Sequence, residues 1–183
     1  MHSASDAVNR LSPPVRYAEL AAGILGFGFR LLDTHSGYLC EITYGSESFV
    51  LGGGSANSWP LNSAGAASLA TDKGFTSLVL SDRQLPTPRA TVVFLSERYS
   101  ELRKGGQERS DAAPIATELG WPIVAKPNNG SRGAFVQLCY EPSELERHLA
   151  AMSARYDIGV LQEYVEGEEY RVLVFDREPI FSY

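Results

Sequence analysis

The run Trp121-Pro122-Ile123-Val124-Ala125-Lys126-Pro127-Asn128-Asn129-Gly130-Ser131-Arg132-Gly133 constrains this chain more than any other part of it. It is an apolar stretch that ends on a lysine and breaks into a glycine-rich loop. A lysine at the end of a buried strand has its charge held at a fixed point, and glycines let backbone N–H groups approach an anion without interference from Cβ. Lys126, Gly130, Ser131, Arg132 and Gly133 are therefore candidates for holding a phosphate. Here the lysine precedes the glycines, and the loop leads into the strand-like Phe135-Val136-Gln137-Leu138 and not into a helix. That order departs from both the P-loop and the dinucleotide-binding fingerprints. An ordinary hairpin with a solvated lysine stays open beside the phosphate reading, since Asn-Gly is a common tight-turn dipeptide.

The pattern of apolar runs gives the order strand (91–95), helix (111–119), strand (123–127), strand (134–139), helix (141–154) and strand (159–165). This suits an α+β layer, with helices on one face of an antiparallel sheet. Upstream, residues 1–12 read as a mobile tail, and Pro13-Pro14 opens a helix running from Val15 to about Leu25. A hairpin follows, with strands at 38–44 and 48–51 around Gly45-Ser46-Glu47. Gly52-Gly53-Gly54-Ser55 reads as a linker, and a helix covers Asp72 to Leu80. The expected division is an N-terminal helix and hairpin region, 1–65, and a second region, 66–183. Residues 103–109 form an exposed loop, and 169–175 with 179–183 a terminal hairpin.

At 183 residues, 44% of them hydrophobic, the chain can bury one good core or two small ones. A net charge of −6 with no Lys/Arg cluster argues against a nucleic-acid footprint. No apolar run has the length of a membrane span, and Met1-His2-Ser3-Ala4-Ser5-Asp6 lacks the form of a signal peptide, so the expected location is cytoplasmic. Cys40 and Cys139 are distant from each other, and His2, His35 and His148 are scattered, so no cysteine or histidine metal pattern arises.

Downstream of the lysine loop the chain reads Gln162-Glu163-Tyr164-Val165-Glu166-Gly167-Glu168-Glu169-Tyr170-Arg171-Val172. Upstream it carries Asp72-Lys73-Gly74-Phe75-Thr76-Ser77-Leu78-Val79-Leu80 followed by Leu85-Pro86-Thr87-Pro88. Taken in this order, the three segments resemble the ATP-grasp superfamily, especially its carboxylate-amine ligases such as the cyanophycin synthetases. The resemblance covers roughly residues 65–183 and makes 66–183 a lid subdomain plus the first hairpin of a catalytic core. It implies that Lys73 and Lys126 contact phosphates and that Gln162, Glu163 and Val165 read the adenine edge, the last two through main-chain atoms. Glu169 would accept hydrogen bonds from the ribose hydroxyls, with Glu168 competing because adjacent residues of an extended segment point to opposite faces. The family commonly has a glycine where this chain has Phe135; that side chain either restricts the loop or packs beneath it as core.

The implied activity is an ATP-dependent ligation through an acyl phosphate, joining an unknown carboxylate to an amine or thiol. Mg²⁺ is implied as well, with its ligands expected beyond Tyr183, since the family's core continues past the terminal hairpin. A truncated or split ligase, inactive as these 183 residues alone, is then expected. The alternative is a non-catalytic remnant or interaction module. An unpaired terminal hairpin also implies homo-oligomerisation or another association through residues 168–183.

Overall fold

The computed structural model describes residues 11–52 and 61–183. The expected tail, 1–12, lies outside these except for Leu11 and Ser12, which pack into the first unit, the buried Ser12 donating its N–H to the Gly37 carbonyl at 2.9 Å; of the expected linker, 52–55, only Gly52 is described, and it ends a strand. The chain divides into two compact units, Met1–Ser68 and Leu69–Tyr183.

In the first unit, helix α1 (Pro13–Leu25) starts with two prolines, a position where the missing N–H costs nothing. It ends on Gly26, whose φ of 70° is the left-handed cap that glycine adopts without strain. Val15, Ala18 and Ala22 form its buried stripe. Strands β1 (Gly28–Leu31), β2 (Leu39–Tyr44) and β3 (Glu47–Gly52) make an antiparallel sheet in the order β1-β2-β3. Cys40 and Ile42 of β2 and Leu51 of β3 meet the helix stripe, while Arg30 and Glu41 pair across the exposed face. The sequence pattern missed β1.

The second unit begins with the end of helix α2 (Ala64–Thr71), followed by helix α3 (Lys73–Asp82). Next come β4 (Ala90–Phe94), helix α4 (Ala112–Leu119), β5 (Ile123–Pro127), β6 (Gln137–Cys139), helix α5 (Pro142–Ser153) and β7 (Ile158–Glu163). The four strands form one antiparallel sheet in the order β4-β7-β5-β6. One face is apolar: Val93, Ile123, Ala125, Cys139 and Leu161 pack against Ala112, Ala116 and Leu119 of α4 and Leu145, Leu149 and Met152 of α5. Positions 145, 149 and 152 follow the i, i+4, i+7 spacing of a helix stripe. The sheet period of two puts Val124, Lys126, Val160 and Gln162 on the opposite face.

Both α4 and α5 lie on the apolar face as the pattern implies, whereas α3 meets the other face. A Cβ on Gly74 of α3 would stand 2.2 Å from Cγ1 of Val92, so glycine alone permits this approach. Strand β6 starts at Gln137 and not at Ala134, because residues 131–136 turn twice, with bonds from Ala134 N to Ser131 O and from Val136 N to Gly133 O. The terminal strands β8 (Val172–Phe175) and β9 (Glu178–Ser182) form a hairpin with a bulge at Leu173/Val174. Every residue of both strands is exposed.

Candidate phosphate site

Two of the three lysines in the chain meet at one place. Lys126 occupies the polar face of β5, where its ammonium donates to Oε1 of Gln162 on β7. These side chains share a face because β5 and β7 pair antiparallel with Val124 opposite Gln162 and Lys126 opposite Val160. Lys73 arrives from the first turn of α3. Its Nζ donates to the carbonyls of Gly130 at 2.6 Å and Asn128 at 3.1 Å. An ammonium has three N–H donors, so one remains for a ligand.

The electrostatics of the pair favour an anion. Burial pushes the Lys126 ammonium below its ordinary pKa, and the neighbouring Lys73 charge lowers it further. Burial also lowers Lys73, with Asp72 opposing the shift. Two half-buried cations that repel each other gain free energy when a multivalent anion bridges them. A cleft of about 140 Å³ opens beside them, lined by Lys73, Thr76, Lys126, Val160 and Gln162. An adjoining cleft of about 560 Å³, between α3 and β4, contains neither lysine. Its one cation, Arg89, is already held by Glu163 at 2.7 Å. The smaller cleft therefore has the chemistry of an anion site.

The loop between β5 and β6 meets the lysines through the Gly130 carbonyl, and Ser131, Arg132 and Gly133 are not among the residues that line the cleft. Ser131, Arg132 and Gly133 are exposed, and Arg132 and Gly133 have φ of 56° and 71°. Gly130 presents its carbonyl to Lys73, so its role here is to hold the ammonium. Phe135 settles the alternative left by the sequence: it packs as partial core, edge-on to Tyr156 with ring centroids 5.6 Å apart. Its φ of 55° lies in the left-handed region where glycine is at ease, and the packing holds it there. His148 of α5, 9% exposed, donates from Nε2 to the Phe135 carbonyl at 3.0 Å and so ties the loop to the helix.

The remaining candidates are arranged differently. The carboxylate of Glu163 accepts from Arg89 N and Nε, which hold its pKa down, and its main-chain N–H is committed to the Arg89 carbonyl. Val165 is 61% exposed just after β7 ends. Glu169 is exposed and pairs with Arg171 at 3.1 Å, while Glu168 accepts from the Tyr170 hydroxyl. Neither glutamate forms a bond to the lysine cluster among those described.

Sequence reasoning missed Asn128, which is 2% exposed and joins α3 to the end of β5. The available signal was the Asn128-Asn129 doublet directly after a buried strand, where alternation forces one amide inward.

Among the described residues no group of three or more His, Cys, Asp or Glu converges as a metal site, and no helix is long and apolar enough to cross a membrane. No family model matches the chain. It is 30% identical over 111 residues to the cyanophycin synthetase of Geminocystis herdmanii (strain PCC 6308), an alignment covering 59% of this chain and 11% of that protein. It is 33% identical over 116 residues to the D-alanine–D-alanine ligase of Ectopseudomonas mendocina (strain ymp), covering 62% of this chain and 32% of that protein. Among the solved structures that share its fold are the following two. The D-alanine–D-alanine ligase from Bacillus anthracis has a TM-score of 0.51 at 21% identity, over 64% of this chain and 34% of that one. A bifunctional glutathione synthetase from Pasteurella multocida has a TM-score of 0.52 at 17% identity, over 97% of this chain and 22% of that one.

The homologues are thus cyanophycin synthetases and D-alanine–D-alanine ligases, and the mixed α/β fold with antiparallel sheets matches that of ATP-grasp ligases. The chain spans less than two thirds of each of these relatives.

Proposed function

We propose that residues 69–183 form the triphosphate-holding part of an ATP-dependent carboxylate–amine ligase. The observation that carries this reading is the convergence of Lys73 and Lys126 beside Gln162, on the sheet face opposite the core. Lys126 and the free donor of Lys73 bind the polyphosphate, and Gln162 orients Lys126. Ser131, Arg132 and Gly133 close over the phosphates, with Phe135 and His148 anchoring that loop. The Glu163 carbonyl and the Val165 N–H read the adenine edge, and Glu169, released from Arg171, takes the ribose. Bound ATP supplies the phosphoryl group that activates a carboxylate as an acyl phosphate for attack by an amine. The lysines contribute by holding positive charge where negative charge develops in that transfer. Among the described residues no group of three or more His, Cys, Asp or Glu converges that would hold Mg²⁺ by itself.

Calorimetric titration with ATP and with adenosine tests this reading. ATP should bind at least at the millimolar level, about −4 kcal/mol, and more tightly than adenosine. Equal affinities would remove the phosphate site.

A second reading, an interaction module, is favoured by the β8–β9 hairpin, where Val172, Leu173, Val174, Phe175, Ile180 and Phe181 are each more than half exposed. Association through residues 168–183 would then be concentration-dependent in light scattering, and a monodisperse monomer at high concentration would argue against it.

A further inference from the structure

The two lysines repel each other, yet they are held in one cleft from positions 53 residues apart in sequence. The restraint comes from Asn128. Its buried side chain is satisfied at both ends: Oδ1 accepts from Gly74 N at 2.8 Å, and Nδ2 donates to Oδ2 of Asp72 at 2.8 Å. The main chain completes the lock, with Asn128 N donating to Ile158 O at 3.0 Å and Asn128 O accepting from Lys73 Nζ. The other oxygen of Asp72 caps α3 by accepting from Phe75 N at 2.8 Å. One carboxylate thus starts the helix and anchors it to the strand end. Gly74 lies so close that an added Cβ would also stand 3.3 Å from Oδ1 of Asn128.

We propose that Asp72 and Asn128 are positioning residues for the phosphate site: their hydrogen bond sets the first turn of α3, and with it Lys73, at a fixed offset from Lys126. The proposal rests on the triphosphate reading of the cleft. Burial alone would accept an apolar side chain at 128. The amide is required because it must accept from a helix N–H while donating to the capping carboxylate. This requirement is symmetric under exchange. Asp at 128 could accept from Gly74 N, and Asn at 72 could cap Phe75 through its oxygen and donate through its nitrogen.

The test compares the intact chain with N128A, N128D and the swap D72N/N128D, using two readouts. The first is acetylation of the three lysines followed by mass spectrometry, with exposed Lys104 as the internal reference. Lys73 should react slowly in the natural chain, approach the rate of Lys104 in N128A and N128D, and return to slow reaction in the swap. The second is calorimetry with inorganic tripolyphosphate. Affinity should fall about tenfold in both single variants, the scale of one displaced charge-assisted bond, and recover to within about threefold in the swap.

A folded N128A with unchanged Lys73 reactivity would overturn the proposal, and so would a swap that restores neither readout. If N128A does not fold, the comparison of N128D with the swap decides in the same way. If tripolyphosphate does not bind even the natural chain, the triphosphate reading falls, and the lysine reactivities alone then decide whether Asp72 and Asn128 position Lys73.

Discussion

Replacing Lys126 with methionine separates a binding role from a structural one. In the ligand-free protein the ammonium of Lys126 is partly buried, stands against the charge of Lys73, and is compensated by one hydrogen bond to Gln162. Methionine keeps the apolar stem over Val160 and removes the charge. The lost hydrogen bond costs about 1 kcal/mol. Relief of desolvation and of like-charge repulsion, discounted because the group is only half shielded from water, returns a similar amount. The net change in unfolding free energy should therefore lie within about 1 kcal/mol of zero. Binding of ATP should behave otherwise. One charge-assisted contact to phosphate is lost and Lys73 cannot replace it, so affinity should fall by about 1.5–3 kcal/mol, roughly tenfold to a hundredfold. Urea denaturation and calorimetric titration of the two proteins measure both quantities. If K126M destabilises the fold by more than about 2 kcal/mol while ATP affinity stays unchanged, Lys126 is a structural residue and the reasoning fails.

Other expectations follow from the same geometry. Because Lys126 titrates below its ordinary value of 10.5 in the fold, the unfolded chain binds more protons between the two values, so stability should rise with pH across that window; K126M should flatten the slope in denaturant titrations, and an unchanged slope would contradict the burial of the charge. Gly74→Ala should cost about 1–3 kcal/mol through collision with Val92 and be relieved by adding Val92→Ala; thermal melts that show no loss would contradict the close approach of α3 to β4. Phe135→Ala should cost about 1.5–2.5 kcal/mol, half the figure for a fully buried ring. Phe135→Gly should cost no more than alanine, reversing the usual order, because φ at this position is positive; a clearly less stable glycine variant in urea melts would contradict that account.

Periodicity alone was enough to locate α4, α5, β5 and β7, because long apolar stripes at 112–119 and 145–152 and the run at 123–127 leave few other solutions. It missed β1, where only four residues alternate and one is glycine, and it began β6 three residues too early. Local apolar content at 134–136 looks like strand, but turn hydrogen bonds and the positive φ of Phe135 take those residues out of the ladder. Lys126 was legible because a cation at a strand end is conspicuous against its apolar neighbours, whereas Lys73, in the first turn of a helix, was singled out only through the family resemblance. Asn128, Asp72, Arg89 and His148 were not legible, since each acts through a partner 13 to 74 residues away, and only the folded chain brings such partners together.

The central claim, that Lys73 and Lys126 face the terminal phosphates of ATP, is open to one direct measurement. An ATP derivative acylated on its γ-phosphate presents a mixed anhydride whose carbonyl is attacked by a nearby lysine amine, with ATP as leaving group. Because the chain has only three lysines, peptide mass spectrometry gives an unambiguous readout. Acylation should appear on Lys73 or Lys126 or both, spare Lys104, and disappear with excess ATP. Labelling of Lys104 to an equal extent, or labelling of Lys73 and Lys126 that excess ATP leaves untouched, would contradict the phosphate site.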